Sequence, residues 1–327
     1  MPRIRNKPRD GEPDEQNPAR RLRLRAAWMY FVEEMTQNEI AQRLGVGRIT
    51  VVRLLAAARE RNEVKISIGD RLAECVDLER QLESRYGIGE AIVVPLSAPD
   101  ADATGPVSAA TGEYVSGMVR SNMKIGVGWG RTLVSSLSFM EERSVENVSV
   151  VSLLGGIMKA RHFNPAEFAW RFSTLYQADC YLMTAPIVVD TPETRRTLIE
   201  NCGLRDIFEM ARSLDAVVLS AAGTGPEATS YRSKFLTDAD RASVIKAGAV
   251  GDVLFNFFDA EGQLVDHSIN ERVMSVPLDI IKAVPARVMA AGGAGKVRAL
   301  AGALRLLKPT VLITDQYAAE GVLKLAD

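Results

Sequence analysis

The residues of this 327-residue chain whose types and spacing suit ligand chemistry sit at glycine-rich breaks after apolar runs. The stretch KIGVGWGRT, Lys124 to Thr132, reads as a strand running through Gly128-Trp129-Gly130 into a helix that opens at Thr132. Glycines let backbone amides approach an anion, a helix N-terminus adds partial positive charge, and Arg131 and Thr132 add donors. The spacing is GxGxG, whereas a dinucleotide fingerprint needs GxGxxG and an acidic residue at the next strand end. The loop is therefore expected to form a phosphate or polyol pocket, with a tight packing turn as the alternative. Leu154-Gly155-Gly156 ends a second strand, and Lys159, Arg161 and Asn164 follow it. The two cations either meet a phosphate or stay solvated. Asp252, ahead of the aromatic run Phe255, Phe257 and Phe258, could accept hydrogen bonds from sugar hydroxyls or cap a turn. AGGAGK, Ala291 to Lys296, and LITD, Leu312 to Asp315, are further strand ends running into helices. Lys296 falls in the first turn of its helix, a position unfavourable to the helix dipole unless an anion is near. The candidate ligand-binding residues are Gly128, Gly130, Arg131, Thr132, Lys159, Asn164, Asp252, Lys296 and Asp315. No nucleophile–base pair is legible, the only histidines, His162 and His267, lack triad or metal spacing, and no cofactor is expected.

A second set of functional residues lies in TQNEIAQRLGVGRITVVRLLAAARER, Thr36 to Arg61. Thr36 and Glu39 form a capping box, so a first helix starts at Gln37 with Ile40, Ala41 and Leu44 as its apolar stripe. Gly45 supplies the positive φ of a helix end, Val46 plugs the corner, and a second helix runs from Arg48. Its expected inner stripe is Ile49, Val52, Leu55 and Ala56, and its outer face Arg48, Thr50, Arg53 and Ala57. Early residues of such a helix reach base edges in a major groove, so Gln37, Arg48, Thr50 and Arg53 are candidate contacts to double-stranded DNA. A small helical core with no nucleic acid is the plainer alternative.

The elements that must position these residues follow from periodicity. Leu24, Trp28, Phe31, Val32 and Met35 mark a packing helix before the reader, Val64 to Ile68 alternates as a strand, and Leu72, Val76, Glu79, Leu82 and Tyr86 mark a helix that either joins domains, pairs subunits or packs into a core. From Glu90 onward strands at 91–95, 124–128, 148–154, 180–184, 216–220, 287–291 and 311–314 alternate with helices at 106–122, 132–140, 165–178, 192–213, 295–306 and 316–325. That alternation predicts a doubly wound parallel sheet, an α/β domain whose strand ends converge on a ligand crevice. The expected division is a disordered tail over 1–20, a helix-turn-helix domain over 21–70, a linker or oligomerisation helix over 71–89 and an effector domain over 90–327. Residues 1–70 carry 14 Lys/Arg against 10 Asp/Glu and the remainder 26 against 31, so only the first part favours phosphate backbone. Three scattered cysteines, Cys75, Cys180 and Cys202, make no disulfide framework, and no apolar run of membrane length or signal peptide is seen; a cytoplasmic protein with no membrane partner is expected.

The assembled motifs resemble the SorC family of bacterial sugar-responsive transcriptional regulators over nearly all of 22–325. TQNEIAQRLGV with VVRLLAAAR is similar to that family's reader, and IGVGWGRT, LLGG, GAVGDVLFNFFD, AGGAGKVRALAGAL and LITD are similar, in order, to its effector domain. The resemblance implies a Rossmann-like effector domain related to phosphosugar isomerases and deaminases, acting as a sensor of a sugar, polyol or sugar phosphate, in dimers or tetramers on operator DNA. It places Gly130, Arg131 and Thr132 at the ligand phosphate, and Lys159, Asn164, Asp252 and Lys296 at or near other ligand contacts. One departure is Gly47, where family members usually carry Ser as the recognition-helix cap. The stretches LRAAWMYFVEEMTQ and AECVDLE look most like the polyol-responsive branch. The competing function is an isomerase- or deaminase-type enzyme with an accessory DNA-binding head.

Overall fold

The computed structural model describes residues 17–61, 63–64, 72–156, 164–226, 228–232 and 236–325. The chain divides into two compact units, Met1–Gly69 and Asp70–Asp327.

The described residues of the smaller unit form three helices, α1 (Pro18–Phe31), α2 (Gln37–Leu44) and α3 (Arg48–Glu60). The helix α1 begins inside the stretch expected to be a tail, because Asn17 caps it and Pro18 is pre-set for a first helical position. Its buried face is Arg23, Ala26, Ala27 and Met29, while Trp28 and Val32 are exposed. The expected stripe is thus only partly in phase, Phe31 and Met35 packing against the core while Trp28 and Val32 do not: small alanines let α1 approach closely, and Arg23 is tolerated inside because Glu63 binds it through Nε and Nη2. The same correction holds in α3, where Val51, Leu55 and Ala58 face the core and Ile49, Val52 and Ala56 face solvent. In α2 the capping box forms, with the Glu39 N–H donating to Thr36 Oγ1 and the Thr36 N–H to Glu39 Oε2; Gly45 ends the helix at φ 66°. Of the expected strand at 64–68, residues 65–68 lie outside the described residues, as does the tail up to 16.

The larger unit opens with α4 (Ala73–Tyr86), which buries Cys75, Glu79 and Leu82 and packs on β1 (Glu90–Val94) and on α15 (Gln316–Lys324). Glu79 is held there by the Val93 N–H, so this helix is a layer of the larger unit. Next come α5 (Thr104–Met118), β2 (Lys124–Val127), α6 (Arg131–Ser136), a 3-10 turn (Leu137–Phe139), β3 (Ser149–Ser152), α7 (Pro165–Tyr176), β4 (Asp179–Tyr181), α8 (Pro192–Asn201), α9 (Arg205–Ala211) and β5 (Ala216–Leu219). The single helix expected over 192–213 is two, broken at Gly203 with φ 81°. Then follow β6 (Ala222–Gly223), α10 (Thr229–Arg232), α11 (Asp238–Lys246), β7 (Gly251–Val253), β8 (Asn256–Phe258), α12 (Ser268–Arg272), α13 (Leu278–Ala283), β9 (Ala286–Ala290), a 3-10 turn (Ala294–Lys296), α14 (Val297–Leu307), β10 (Val311–Asp315) and α15.

Seven strands form one sheet in the order β1-β10-β9-β5-β2-β3-β4, every neighbour parallel. Strands such as AVVL in β5 and VLITD in β10 are buried throughout, as a sheet covered on both faces requires. One core, with Phe168, Phe172 and Tyr176, lies under α5, α6 and α7; the other gathers α4, α14 and α15. The chain order reverses between β2 and β5, so the switch point of this doubly wound sheet falls where the Gly128–Thr132 loop leaves β2.

Candidate functional site

At that switch point Gly130 has φ 137°, and a Cβ there would meet Ser220, the residue after β5, at 3.5 Å. Gly128 donates its N–H to the Val218 carbonyl at 2.9 Å and leaves room for Leu254. Trp129 between them is buried, its ring 6.4 Å from that of Phe255. The loop therefore turns sharply and presents Arg131 and Thr132 at the first turn of α6. Thr132 is buried, and its carbonyl accepts a bond from the Ser108 hydroxyl. With only six residues, α6 contributes a small dipole, so the side chains and loop amides carry more of any anion binding than the helix does.

The other wall is the small antiparallel sheet β6-β7-β8, which the sequence pattern did not show. Its β7–β8 turn holds Leu254 and Phe255 at φ 49° and 62°, in place of the Asn-Gly that normally signals such a hairpin. Left-handed backbone at non-glycine residues costs about 1–3 kcal/mol each. Both side chains are almost wholly buried, Leu254 at 2% and Phe255 at 0% exposure, which offsets that cost at about 1.5–3 kcal/mol per side chain. The strained turn fixes Asp252 inside the unit, where its Oδ2 accepts the Phe255 N–H at 3.2 Å and its Oδ1 has no partner. Burial pushes this carboxyl from 3.8 up to about 7; the Phe255 N–H, the Lys296 charge and the Ser230 side chain pull against that rise.

Lys296 arrives on the loop after β9. Gly293, at φ 98°, donates its N–H to Asp315 Oδ2 at 2.5 Å, and the 3-10 turn then places Lys296 as the residue just before α14 rather than within its first turn. Burial pushes its ammonium from 10.5 down to about 8. Arg131 adds to that fall, while Asp252, Asp102 and Asp315 oppose it. Asp102, at the loop before α5, is held below the ordinary carboxylate value first by Thr104 and then by Arg131 and Lys296. Arg131, Asp252, Asp102 and Asp315, each from a different chain segment, thus all act on Lys296. Asp102 went unnoticed in the sequence, although an acidic residue two before a helix-starting Thr was a legible capping signal.

Not every expected residue is free to meet a ligand. Asp315 is fully buried and spends Oδ1 on the Tyr317 and Ala318 N–H groups and Oδ2 on Gly293, so it builds the wall of the site. Asn164, also buried, caps α7 through the Ala166 N–H at 3.0 Å. Lys159 lies outside the described residues, as do Arg161 and His162. His267 caps α12 and bonds Ser243. Among the described residues no group of three or more His, Cys, Asp and Glu is placed to hold a metal, and no helix is long and apolar enough to cross a membrane.

In the smaller unit Arg48, Thr50 and Arg53 are exposed on α3, and Arg48 Nε donates to Gln37 Oε1 at 3.5 Å, bringing two candidate DNA contacts together. Gly47 provides no side-chain cap, which leaves the first amides of α3 open to an outside acceptor such as a phosphate.

Comparison with known proteins agrees with this architecture. A family model described as a sugar-binding domain matches residues 70–324. The deoxyribonucleoside regulator of Bacillus subtilis is 31% identical, covering 92% of this chain and 96% of its own. The erythritol catabolism regulatory protein EryD of Brucella abortus is 30% identical over 92% and 96%. Among solved structures, the full-length sorbitol operon regulator SorC of Klebsiella pneumoniae superposes with a TM-score of 0.69 at 24% identity, covering 94% of this chain and 100% of that one.

Proposed function

We propose, from the premise that this chain belongs to the SorC family of sugar-responsive transcriptional regulators, that it controls a carbohydrate or polyol catabolic operon by binding operator DNA through α3 and one small effector in the crevice at the β2/β5 switch point. The observation that carries the effector assignment is Asp252. A buried carboxylate oxygen without a partner leaves a hydroxyl donor unsupplied, and the like charges of Lys296 and Arg131, acting on each other beside it, leave room for an anion. A sugar, a polyol or a sugar phosphate provides hydroxyls for Asp252, and a phosphate or carboxylate end suits Arg131, Thr132 and Lys296. Gly128 and Gly130 give that end access to backbone amides. The names of the relatives, a deoxyribonucleoside and an erythritol regulator, favour a small carbohydrate or polyol.

Binding acts without turnover: the relatives that the chain matches are named as regulators, and the shifted Asp252 and Lys296 serve to hold a polar ligand. The unit on DNA is at least a dimer, because a single small reader buries too little surface for specific binding, and paired readers meet half-sites about 34 Å or a multiple apart.

Thermal-shift screening of the purified chain against sugars, polyols and their phosphates is the direct test, since a ligand that binds only the folded state raises stability. One class should raise the midpoint and change operator affinity in fluorescence anisotropy. By reciprocity operator then changes effector affinity by the same factor. Product formed from a sugar phosphate would overturn the sensor reading in favour of an enzyme. Protection of a full operator by a protein that sediments as a monomer would overturn the dimer.

A further inference from the structure

The recognition helix turns to solvent a strip that hydrophobic periodicity assigns to the core. Ile49 is 71% exposed, the highest value for a large apolar side chain among the described residues, and Val52 is 44% exposed. With Arg53 and the exposed Ala56 they fall at i, i+3, i+4 and i+7, so they share one face of α3, opposite the buried Val51, Leu55 and Ala58. No described residue of this unit covers them. Ile and Val are only moderate helix formers, and left in water they forgo the gain that burial would bring.

The chemistry around the strip decides what covers it. Arg48, Thr50 and Arg53 surround Ile49, and no acidic side chain occurs on α3 before Glu60. A partner must therefore be anionic overall and yet offer small apolar knobs at helix spacing. The major groove of B-DNA does so in one way: thymine alone presents a methyl group there, framed by phosphates. We propose that Ile49 and Val52 read thymine methyl groups, so that each half-site carries A·T pairs beneath the first two turns of α3. This rests on α3 being the recognition helix.

The test begins with duplexes selected by the purified full-length chain from a random DNA library. The selected sequence is resynthesised with deoxyuridine replacing thymine one position at a time, a change that deletes the methyl and keeps the pairing. At one or two positions per half-site affinity should fall about fourfold, the factor for one buried methyl-sized group. Ile49→Ala should weaken binding to the thymine duplex by at least as much while discriminating little between it and the deoxyuridine duplex at the matching position; Val52→Ala should do the same at a neighbouring one. Both side chains are exposed, so unchanged thermal midpoints are expected, and the deoxyuridine series needs no variant at all. Selected DNA whose affinity ignores every deoxyuridine, or Ile49→Ala protein that still distinguishes thymine from deoxyuridine as the parent does at every position, overturns the methyl reading and leaves DNA binding standing. Failure to select any duplex overturns the assignment of α3 as the reader, and this inference with it.

Discussion

Replacing Asp252 by Asn removes the charge at the centre of the proposed effector crevice while keeping an acceptor for the Phe255 N–H. The magnitude follows from the carboxyl's passage from 3.8 in its ordinary state to about 7 in the fold. A raised folded pKa contributes stability that is complete below the unfolded value and is lost as pH rises through the folded one. At about 1.4 kcal/mol per pH unit the whole loss is about 4 kcal/mol, and the part falling between pH 5 and 8 is about 2–3 kcal/mol. Lys296, lowered from 10.5 to about 8, has the opposite sign: its contribution is present above the unfolded value and lost as pH falls through the folded one, so it is nearly constant between pH 5 and 7 and cannot mimic the Asp252 slope. Urea unfolding of the effector-free protein at pH 5, 6, 7 and 8 should therefore show the parent losing about 2–3 kcal/mol relative to Asp252→Asn across that range. A bound effector hydroxyl favours the carboxylate, so effector binding near pH 6.5 should release protons from the parent, and calorimetry in buffers of different ionisation enthalpy should show that release disappear in the variant. The variant should also bind effector at least about tenfold more weakly, the worth of a charge-assisted hydrogen bond. Parallel stability profiles for the two proteins would refute the burial argument, and unchanged effector affinity would refute the placement of the ligand.

The remaining predictions concern both units. Lys296→Met keeps length and removes charge; it should weaken effector binding in calorimetry while leaving effector-free operator binding unchanged. Gly292→Ala would drive a Cβ against Asp315 Oδ2 and Val107, costing about 1–3 kcal/mol, whereas Gly295→Ala, with nothing within 4 Å of the added carbon, should be nearly neutral in the same denaturation experiment. Thr36→Ala breaks the capping box and should cost the small unit about 1 kcal/mol. Arg53→Ala should cost about 1–3 kcal/mol in operator binding and relax one base position, and Arg48→Ala, if it loses a phosphate contact, should reduce the salt slope by about one.

The sequence by itself determined the parts whose signals are local. The Thr36–Glu39 box, the Gly45 corner and the seven apolar runs of the main sheet are decided by residues within a few positions of one another, and the glycines after β2, β3 and β9 mark those strand ends. What periodicity could not decide was phase. The helices α1 and α3 each carry apolar residues on more than one face, and only the close approach allowed by Ala26, Ala27 and Ala58, with Arg23 paired to Glu63, settled which face went inward and left Ile49 and Val52 outside. The small sheet was illegible for a related reason. Its β7–β8 turn holds Leu254 and Phe255 in left-handed backbone, a state their own preferences oppose and that only burial against Trp129 and the surrounding core sustains. Since that turn fixes Asp252, since Lys296 acts on it from a distant segment, and since Arg131 and Asp102 act in turn on Lys296, the charge balance of the crevice is a property of tertiary structure: a carboxylate is raised or lowered by what surrounds it in space, and no spacing along the chain records its neighbours.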